Sequence, residues 1–369
     1  MRTSPVSIIL SAVAALALSA CAGSGGSGRA GAALPNGSQP ELASSDFGAA
    51  YLQPHVGVKH LSHIIYIMME NQGFDDVIGH ENPSTYGADT PHITALALKY
   101  GLQTFSFGTT HPSLPNYLSL FAGSYFGIQD DNASCYAQPA QSPCDKQAAN
   151  AKNLADLLEG KHMTWKVFEQ SMPSAGYLGP QYPPATTSGN GPTHYAQKHN
   201  PLLYFKDVAT NSTRLKNIVP LKSMSDIASA LSNPSTAPNF TFIVPDQCHD
   251  MHGTTDCPSG DALLIEGDKY VHQLVETISR SKTFVAGTAI VVAWDEDDYS
   301  SQTGCCKSIY PHGGGHIPVI VITPNYGKPI QSALPSNHYS ELRFIEDAFG
   351  LSHLGESSST VPTLMELLP

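Results

Sequence analysis

Apolar runs of strand length recur along the chain, and several of them end directly on charged or amide side chains. Helical patterns separate these runs, so strands and helices alternate through most of the sequence. This alternation predicts an α/β fold with a mostly parallel central sheet and helices on both faces. The predicted strands are Ile64–Met69, Gln103–Phe107, Met163–Phe168, Asn239–Val244, Thr288–Trp294 and Ile317–Thr323. The predicted helices are His92–Tyr100, Tyr117–Ala122, Asn153–Gly160, Asp261–Ser281 and His338–Phe349.

The N-terminus has the pattern of an exported bacterial protein. An early arginine and an apolar run precede the residues Leu-Ser-Ala-Cys, which resemble a bacterial lipobox ending at Cys21. We therefore predict a lipoprotein signal peptide over residues 1–21, a flexible tether rich in Gly, Ser and Ala over 22–55, and one folded domain over 56–369. A lipid on Cys21 would be the protein's only attachment to a membrane, in the bacterial cell envelope. Plain secretion is the alternative.

Net charge and cysteine content limit the partners and the compartment. Lys and Arg number 19 against 31 Asp and Glu, and the resulting net charge of -12 leaves no basic stripe for a nucleic acid. The chain has seven cysteines; setting Cys21 aside leaves an even number, which is typical of an oxidising compartment. Local spacing favours the pairs Cys135–Cys144 and Cys248–Cys257, while the adjacent Cys305 and Cys306 bridge either each other or other partners.

Polar side chains follow four of the predicted strands. Because the carboxyl ends of parallel strands meet at the same edge of a sheet, we expect these side chains to lie close together. Carboxylates, an amide oxygen and a hydroxyl form an oxygen-rich set that suits a divalent cation, and a cation would offset the repulsion between neighbouring acids. The residues concerned are Glu70, Asn71, Ser113, His249, Asp250, His252, Asp295 and Glu296.

Ser113 lies at the turn between a predicted strand and a predicted helix, and Pro112 and Pro115 stiffen this turn. Such a turn directs backbone N–H groups and the positive end of the helix dipole toward an anion such as a phosphoryl group. A metal ion beside the Ser113 oxygen would lower the pKa of the hydroxyl and make it a nucleophile. The alternative is that Ser113 only caps the helix. The acidic residues and histidines likewise have ordinary roles in loops as alternatives.

Four motifs, in order along the chain, resemble the phosphoesterase family that contains bacterial phospholipases C and secreted acid phosphatases, within the alkaline-phosphatase-like superfamily. The resemblance extends from about residue 60 to about residue 350. The motifs are Glu70-Asn71 with Phe74-Asp75, the block His-Pro-Ser-Leu-Pro-Asn-Tyr from His111 to Tyr117, Trp294-Asp295-Glu296, and His338-Tyr339-Ser340 with Leu342-Arg343 and Ile345-Glu346-Asp347.

The resemblance implies an alkaline-phosphatase-like fold and roles for the matching residues. Ser113 would be both a metal ligand and the nucleophile, and Asn116 would bind a phosphoryl oxygen, as in the nucleophile-x-Pro-Asn segment of related phosphodiesterases. The resemblance also extends to sulfatases, but these have an arginine where this chain has Tyr117, which disfavours that activity. The other implied ligands of one divalent metal ion, which could be Ca, Mg, Mn or Zn, are Glu70, Asn71, Asp295 and Glu296.

Histidines supply the remaining predicted chemistry. If protonated histidines must hold the phosphate, the enzyme has an acidic pH optimum. Three histidines are predicted to bind phosphate or transfer protons, with an aspartate that orients one of them: His249, His252, His316 and Asp250. Three others are weaker candidates with structural roles as the alternative: His111, His199 and His338.

The sequence therefore predicts a secreted or lipid-anchored, metal-dependent acid phosphatase that hydrolyses phosphate monoesters through a phosphoserine. Its substrate would be a small phosphorylated molecule or a phospholipid headgroup. The closest alternative is a phospholipase C or another phosphodiesterase with the same site, because the motifs do not separate monoester from diester cleavage. A second alternative is a surface lipoprotein that binds a cation through the acidic residues without catalysis.

Overall fold

A sheet of nine described strands passes through the middle of the fold. The structure, a computed structural model, describes residues 59–79, 87–137, 148, 150–185, 191–301, 303–307, 313–358 and 361–369. These residues belong to one compact unit, Leu42–Pro369. The predicted signal peptide with Cys21, the predicted tether and the predicted bridge partner Cys144 lie outside the described residues.

Strands and helices alternate along the described chain, and no helix in it is long and apolar enough to cross a bilayer. The strands are β1 (His63–Met69), β2 (Gly101–Phe107), β3 (Trp165–Gln170), β4 (Gln181–Tyr182), β5 (Tyr195–Ala196), β6 (Ile218–Leu221), β7 (Phe240–Val244), β8 (Thr288–Trp294), β9 (His316–Ile322), β10 (Ile330–Ser332) and β11 (Ser336–Asn337). The α-helices are α1 (Phe74–Val77), α2 (Pro91–Lys99), α3 (Ser113–Ala122), α4 (Ala133–Tyr136), α5 (Leu154–Gly160), α6 (Lys206–Ala209), α7 (Ser212–Leu215), α8 (Met224–Ala230), α9 (Asp261–Ser279) and α10 (His338–Phe349).

The sheet has the strand order β10-β2-β9-β8-β1-β7-β3-β6, and β11 pairs with β2. Neighbouring strands in this sheet are parallel except where β9 pairs with β2 and β8. The chain between β8 and β9 contains no described helix that could carry it across the sheet, and an antiparallel neighbour is the result. The predicted α/β fold, with a mostly parallel sheet and helices around it, is confirmed.

Both faces of the sheet are buried, which explains why the central strands are continuous apolar runs. Along β1, Ile64 and Tyr66 face one hydrophobic cluster, whereas Ile65 and Ile67 face the other. Helices α3 and α10 contribute apolar side chains to the first cluster, and α2 and α9 contribute to the second. The layers hold the strands rigidly, so the residues that follow each strand have fixed positions at the carboxyl edge.

All six predicted strands are present, but the helix that carries Ser113 begins four residues earlier than predicted. α3 starts at Ser113 instead of Tyr117, and it contains Pro115 in its first turn, where the missing N–H has no intrahelical partner to lose. The N-cap position is Pro112, and the Leu114 N–H in the first turn donates to Asp131 Oδ1 at 3.0 Å. The alternative role of Ser113 as the N-cap is therefore wrong.

Disulfides fix two loops of the described chain. Cys248 and Cys257 are bridged, as their spacing predicts. Cys305 and Cys306 bridge each other, which resolves the two alternatives for this adjacent pair. The first bridge closes the loop that follows β7, and the second lies in the loop between β8 and β9.

Candidate active site

A buried serine and two buried carboxylates meet at the carboxyl edge of the sheet. Glu70 follows β1, Ser113 begins α3 after β2, and Glu296 follows β8. The Ser113 Oγ lies 3.0 Å from Glu70 Oε2 and 3.1 Å from Glu296 Oε1. The structure thus brings together side chains that the strand pattern placed at one edge.

The side chain of Asn116 holds the turn that presents Ser113. Its Oδ1 accepts a hydrogen bond from the Thr110 N–H at 3.0 Å, and its Nδ2 donates to the carbonyl oxygens of Thr110 at 2.7 Å and Pro112 at 3.2 Å. Both amide hydrogens are therefore used within the turn. The predicted role of Asn116 in binding a phosphoryl oxygen would require these bonds to open, and in this structure the residue positions the nucleophile.

Glycines allow the Ser113 turn to approach the loop that carries the acidic residues. The Gly314 N–H donates to the Gly108 carbonyl at 2.9 Å, and the Gly108 N–H donates to the Gly315 carbonyl at 3.0 Å. A Cβ on Gly314 would lie 2.4 Å from the Thr110 carbonyl oxygen, and one on Gly315, where φ is +77°, would lie 2.0 Å from the Asp297 carboxylate. No larger residue fits this contact without moving the backbone.

Three buried side-chain oxygens on residues that follow β1 and β8 have no hydrogen-bond partner among the described residues: Glu70 Oε1, Asn71 Oδ1 and Asp295 Oδ2. The other carboxylate oxygen of Asp295, Oδ1, accepts hydrogen bonds from the backbone N–H groups of Asn71 at 3.2 Å and Glu296 at 2.7 Å. Ligand oxygens of Glu70, Asp295 and Glu296 lie within 4.8 Å of one another. Buried, unpaired oxygens this close together fit a divalent cation.

The electrostatics of the cluster also suit a bound cation. Burial, followed by the nearby carboxylates of Glu70 and Glu296, raises the pKa of Asp295 well above its usual value. Burial likewise raises the pKa of Glu296 to about 7, although the hydrogen bond from His111 opposes the shift. Burial and the charge of Glu70 raise the pKa of Asp250. Three neighbouring acids that resist ionisation are stabilised in their charged form by a cation.

Lys198 is the residue that sequence reasoning missed. Its Nζ donates to Ser113 Oγ at 3.2 Å and to Asp131 Oδ2 at 2.9 Å, and it lies 3.2 Å from His252 Nε2. Burial opposes its charge, but the carboxylates of Glu70 and Asp131 raise its pKa above the usual value. The residue occurs in a polar segment without periodicity, so no sequence pattern distinguishes it from a surface lysine.

Two histidines beside this lysine have lowered pKa values. Burial and the charge of Lys198 lower the pKa of His252 and of His199. His199 Nε2 lies 3.0 Å from Glu70 Oε1, without hydrogen-bond geometry, and its ring stacks on Tyr117. The positively charged group that contacts Ser113 Oγ directly is the ammonium group of Lys198.

His111 contacts the carboxylate oxygen of Glu296 that does not contact Ser113. Its Nδ1 lies 2.6 Å from Glu296 Oε2, and its Nε2 lies 3.1 Å from the Ser301 carbonyl oxygen. Burial works against its charge, but contacts with Asp297 and Glu296 raise the pKa of His111 to about 10. A charged His111 thus keeps the Glu296 carboxylate oriented toward Ser113.

The other predicted residues have contacts elsewhere. His249 pairs with Asp246 at 2.6 Å and packs on the ring of Tyr270. His316 stacks on Phe74, and its Nε2 lies 3.0 Å from the Thr104 carbonyl oxygen. His338 is fully buried, with Nε2 2.6 Å from the Asp295 carbonyl oxygen, so it holds the acidic loop. Asp250 accepts the His252 N–H at 2.7 Å and its carbonyl accepts the Glu70 N–H at 2.8 Å.

A cavity of about 440 Å³ opens beside Lys198 and His252. Asp131, which accepts from Lys198, also lines it. Lys198, which contacts Ser113 Oγ, connects this cavity to the buried nucleophile.

Solved structures with a similar fold indicate the class of fold to which this chain belongs. A solved structure of a protein in the alkaline phosphatase superfamily from Vibrio parahaemolyticus aligns with a TM-score of 0.50 at 11% identity, covering 80% of this chain and 68% of that one. A lipoteichoic acid synthase from Listeria monocytogenes aligns equally well, with a TM-score of 0.50 at 11% identity, covering 84% and 76%. At such low identity these likenesses establish the fold alone.

The family follows from the sequence. The model of the Phosphoesterase family matches residues 84–352, which is most of the chain, so the chain belongs to the Phosphoesterase family. The predicted family membership is confirmed.

Named relatives include phosphatases from fungi and from a bacterium. An acid phosphatase of Aspergillus fumigatus is 28% identical over 322 residues, covering 86% of this chain and 62% of the relative. A probable acid phosphatase of Kluyveromyces lactis is 27% identical and is covered to 66%. The chain thus spans less than two thirds of these fungal proteins. A phosphatidylinositol-3-phosphatase of Mycobacterium tuberculosis is 27% identical over 305 residues, covering 82% of this chain and 81% of the relative.

Proposed function

We propose that the protein hydrolyses phosphoric monoesters, with Ser113 as the nucleophile and a divalent metal ion as the cofactor. The observation that carries this proposal is the environment of the Ser113 hydroxyl, which contacts two buried carboxylates and the ammonium group of Lys198 at 3.0–3.2 Å. A serine with proton acceptors on one side and a fixed cation on the other is poised to become a nucleophile.

In the first step, the Ser113 hydroxyl gives its proton to the carboxylate of Glu70 or Glu296, and Oγ forms a bond to phosphorus. The bond from phosphorus to the substrate oxygen breaks, and the leaving oxygen takes up a proton from solvent in the cavity. Lys198 donates to the oxygens that carry the developing charge. In the second step, water attacks the phosphoserine, phosphate leaves, and Oγ regains its proton.

The metal ion would be held by Glu70, Asn71 and Asp295 through the oxygens that lack hydrogen-bond partners, with Ser113 and Glu296 completing the set. When bound, a divalent ion lowers the pKa of the serine and offsets charge on the phosphoryl oxygens. Glu296 differs from the other acids because its two oxygens contact Ser113 and His111. Its role includes the orientation of the nucleophile.

The relatives favour monoesters over diesters. The fungal proteins are named acid phosphatases, and the bacterial protein is named for removal of a phosphate from a phosphoinositide. These names refer to phosphatases and not to phospholipases, which supports monoester hydrolysis as the activity of this chain. A phospholipase C or other phosphodiesterase with the same site is the competing function.

Purified protein lacking residues 1–21 tests the proposal. We expect hydrolysis of p-nitrophenyl phosphate that exceeds hydrolysis of a phosphocholine diester, is abolished by a chelator and returns with a divalent metal ion. Ser113→Ala should lower kcat by at least about 1,000-fold, because the nucleophile is removed. Ser119→Ala, in a buried serine of the same helix, serves as the matched control. Equal rates for Ser113→Ala and the wild type would exclude Ser113 as the nucleophile.

We also propose that the protein is exported and that Cys21 carries a lipid in the cell envelope. The lipobox-like sequence before Cys21 supports this. Cys21→Ser should move the protein from the membrane fraction to the soluble fraction. Wild-type protein that is already in the soluble fraction would instead favour plain secretion.

A further inference from the structure

The cavity beside Lys198 has walls that are polar and carry few charged groups. Its described lining contains six uncharged side chains that carry amide or hydroxyl groups, namely Asn132, Ser134, Gln181, Thr193, Gln247 and Thr254. Lys198 is the one lysine or arginine among the described lining residues, and it pairs with Asp131 at 2.9 Å. The walls therefore offer many hydrogen bonds and no surplus positive charge.

Hydrogen bonds and a disulfide connect these polar walls. Gln181 Nε2 donates to Thr193 Oγ1 at 3.0 Å, and the Thr193 N–H donates to Thr254 Oγ1 at 3.1 Å. The disulfide between Cys248 and Cys257 closes the loop that carries Thr254. An ordered wall binds a ligand with a smaller entropic cost than a mobile one, and it selects for groups that match its donors and acceptors.

We propose that this cavity binds a neutral, hydroxyl-rich leaving group, so that the preferred substrates are monophosphates of sugars or other polyols. This inference rests on the proposed phosphatase function. A hydrocarbon group in the cavity would displace water from these polar side chains without replacing its hydrogen bonds, whereas a polyol would replace them. A second phosphate on the leaving group would meet Asp131 and no free cation in the described lining, because Lys198 already serves the transferred phosphoryl group.

Two matched substrate pairs test the inference with the wild-type protein. Glycerol 3-phosphate and n-propyl phosphate differ in two hydroxyl groups, and fructose 6-phosphate and fructose 1,6-bisphosphate differ in one phosphate. We expect kcat/KM to be at least about tenfold higher for the first member of each pair. Hydrolysis of p-nitrophenyl phosphate reports the basic activity in the same preparation.

A charge placed in the wall gives a second test. Ser134 lines the cavity, and we expect Ser134→Lys to raise the ratio of kcat/KM for the bisphosphate over that for the monophosphate by at least about tenfold. Ser134→Gln, which adds bulk without charge, should leave this ratio near the wild-type value. Thermal unfolding of both variants shows whether they are folded.

The outcomes separate the inference from the proposed function. Turnover of p-nitrophenyl phosphate with equal kcat/KM within both substrate pairs would overturn the polyol preference and leave the phosphatase function intact. An unchanged ratio in a folded Ser134→Lys variant would overturn the placement of the leaving group in this cavity. If no phosphomonoester is hydrolysed with any added divalent metal, the proposed function fails, and the inference fails with it.

Discussion

At the scale of single residues, Lys198 supplies the only fixed positive charge that the described structure places against Ser113. The carboxylates around the hydroxyl can accept its proton, but they also repel an incoming phosphate. Lys198 compensates on the side of the cavity, where its Nζ contacts both Ser113 Oγ and Asp131. A cation in this position stabilises the negative charge of the transition state more than it stabilises the site before reaction.

We predict that Lys198→Met lowers kcat for p-nitrophenyl phosphate by about 100-fold or more, as is typical when a donor to the reacting oxygens is removed. Lys198→Arg should retain a substantial part of the activity because it keeps the charge. Lys206→Met removes an exposed lysine on another helix and should behave as the wild type. A Lys198→Met variant within threefold of the wild type would exclude a role for this ammonium group in turnover.

Asp295 tests the metal site at the same scale. In chelator, we predict that Asp295→Asn is at least as stable as the wild type, because it removes a buried charge that faces Glu70 and Glu296. Divalent metal ions should raise the Tm of the wild type, since they bind the folded state, and should raise the Tm of the variant much less. Thermal unfolding with and without metal measures both effects. Equal metal-induced shifts in the two proteins would place the cation elsewhere.

At the scale of elements, the site depends on the contact between the Ser113 turn and the loop before β9. Backbone hydrogen bonds connect Gly108 with Gly314 and Gly315, and the Gly314 carbonyl accepts the Asp297 N–H at 2.9 Å. The distance between the nucleophile and the acidic loop is therefore fixed by the main chain. A side chain at Gly314 would separate the two segments.

We predict that Gly314→Ala lowers the free energy of unfolding by about 1–3 kcal/mol, as over-packing typically does, and lowers kcat as well. The added Cβ would lie 2.4 Å from the Thr110 carbonyl oxygen, in the turn that Asn116 holds. Gly327→Ala is a suitable control because nothing lies within 4 Å of the added Cβ. Denaturant unfolding and steady-state kinetics measure the two effects. Normal values of both for Gly314→Ala would show that this contact does not position Ser113.

The strand pattern was sufficient to predict the acidic half of the site but not the basic half. Glu70, Asp295 and Glu296 directly follow buried strands, so the parallel order of β1 and β8 determines their positions. Lys198 lies in a 3₁₀ turn after a loop without periodicity, and its position depends on tertiary contacts that no local pattern encodes. The different directions of His249 and His252 were likewise not predictable. Met251 lies between them with a φ of +80°, and His249 contacts Asp246 whereas His252 contacts Lys198.

At the scale of the whole molecule, the apolar runs predicted the sheet, but the sequence did not reveal the reversal of β9. The reversal places His316, at the start of β9, beside Phe107, at the end of β2. The short strands β4, β5, β10 and β11 were not predicted, because two or three residues carry no measurable period. These small elements nevertheless matter, since Gln181 of β4 and Ala196 of β5 line the cavity.

Burial of acids also shapes the stability of the whole molecule. Glu346 on α10 is buried, and burial raises its pKa to about 8, although hydrogen bonds from Ser357 and the Leu354 N–H oppose the shift. Between about pH 4.5 and 8, the folded chain therefore holds a proton on Glu346 that the unfolded chain has released. The free energy of unfolding consequently falls as the pH rises through this range, by up to about 1.4 kcal/mol per pH unit for this group.

We predict that Glu346→Gln removes this contribution, because the amide cannot ionise. The free energy of unfolding of the variant, relative to the wild type, should rise steadily from pH 4.5 to pH 8 and then level off. Urea unfolding at several pH values measures this difference. Glu356→Gln, at an exposed residue that pairs with Lys307, provides the control and should follow the wild type throughout. A difference between Glu346→Gln and the wild type that does not change with pH would mean that Glu346 is already ionised in the folded protein at pH 5.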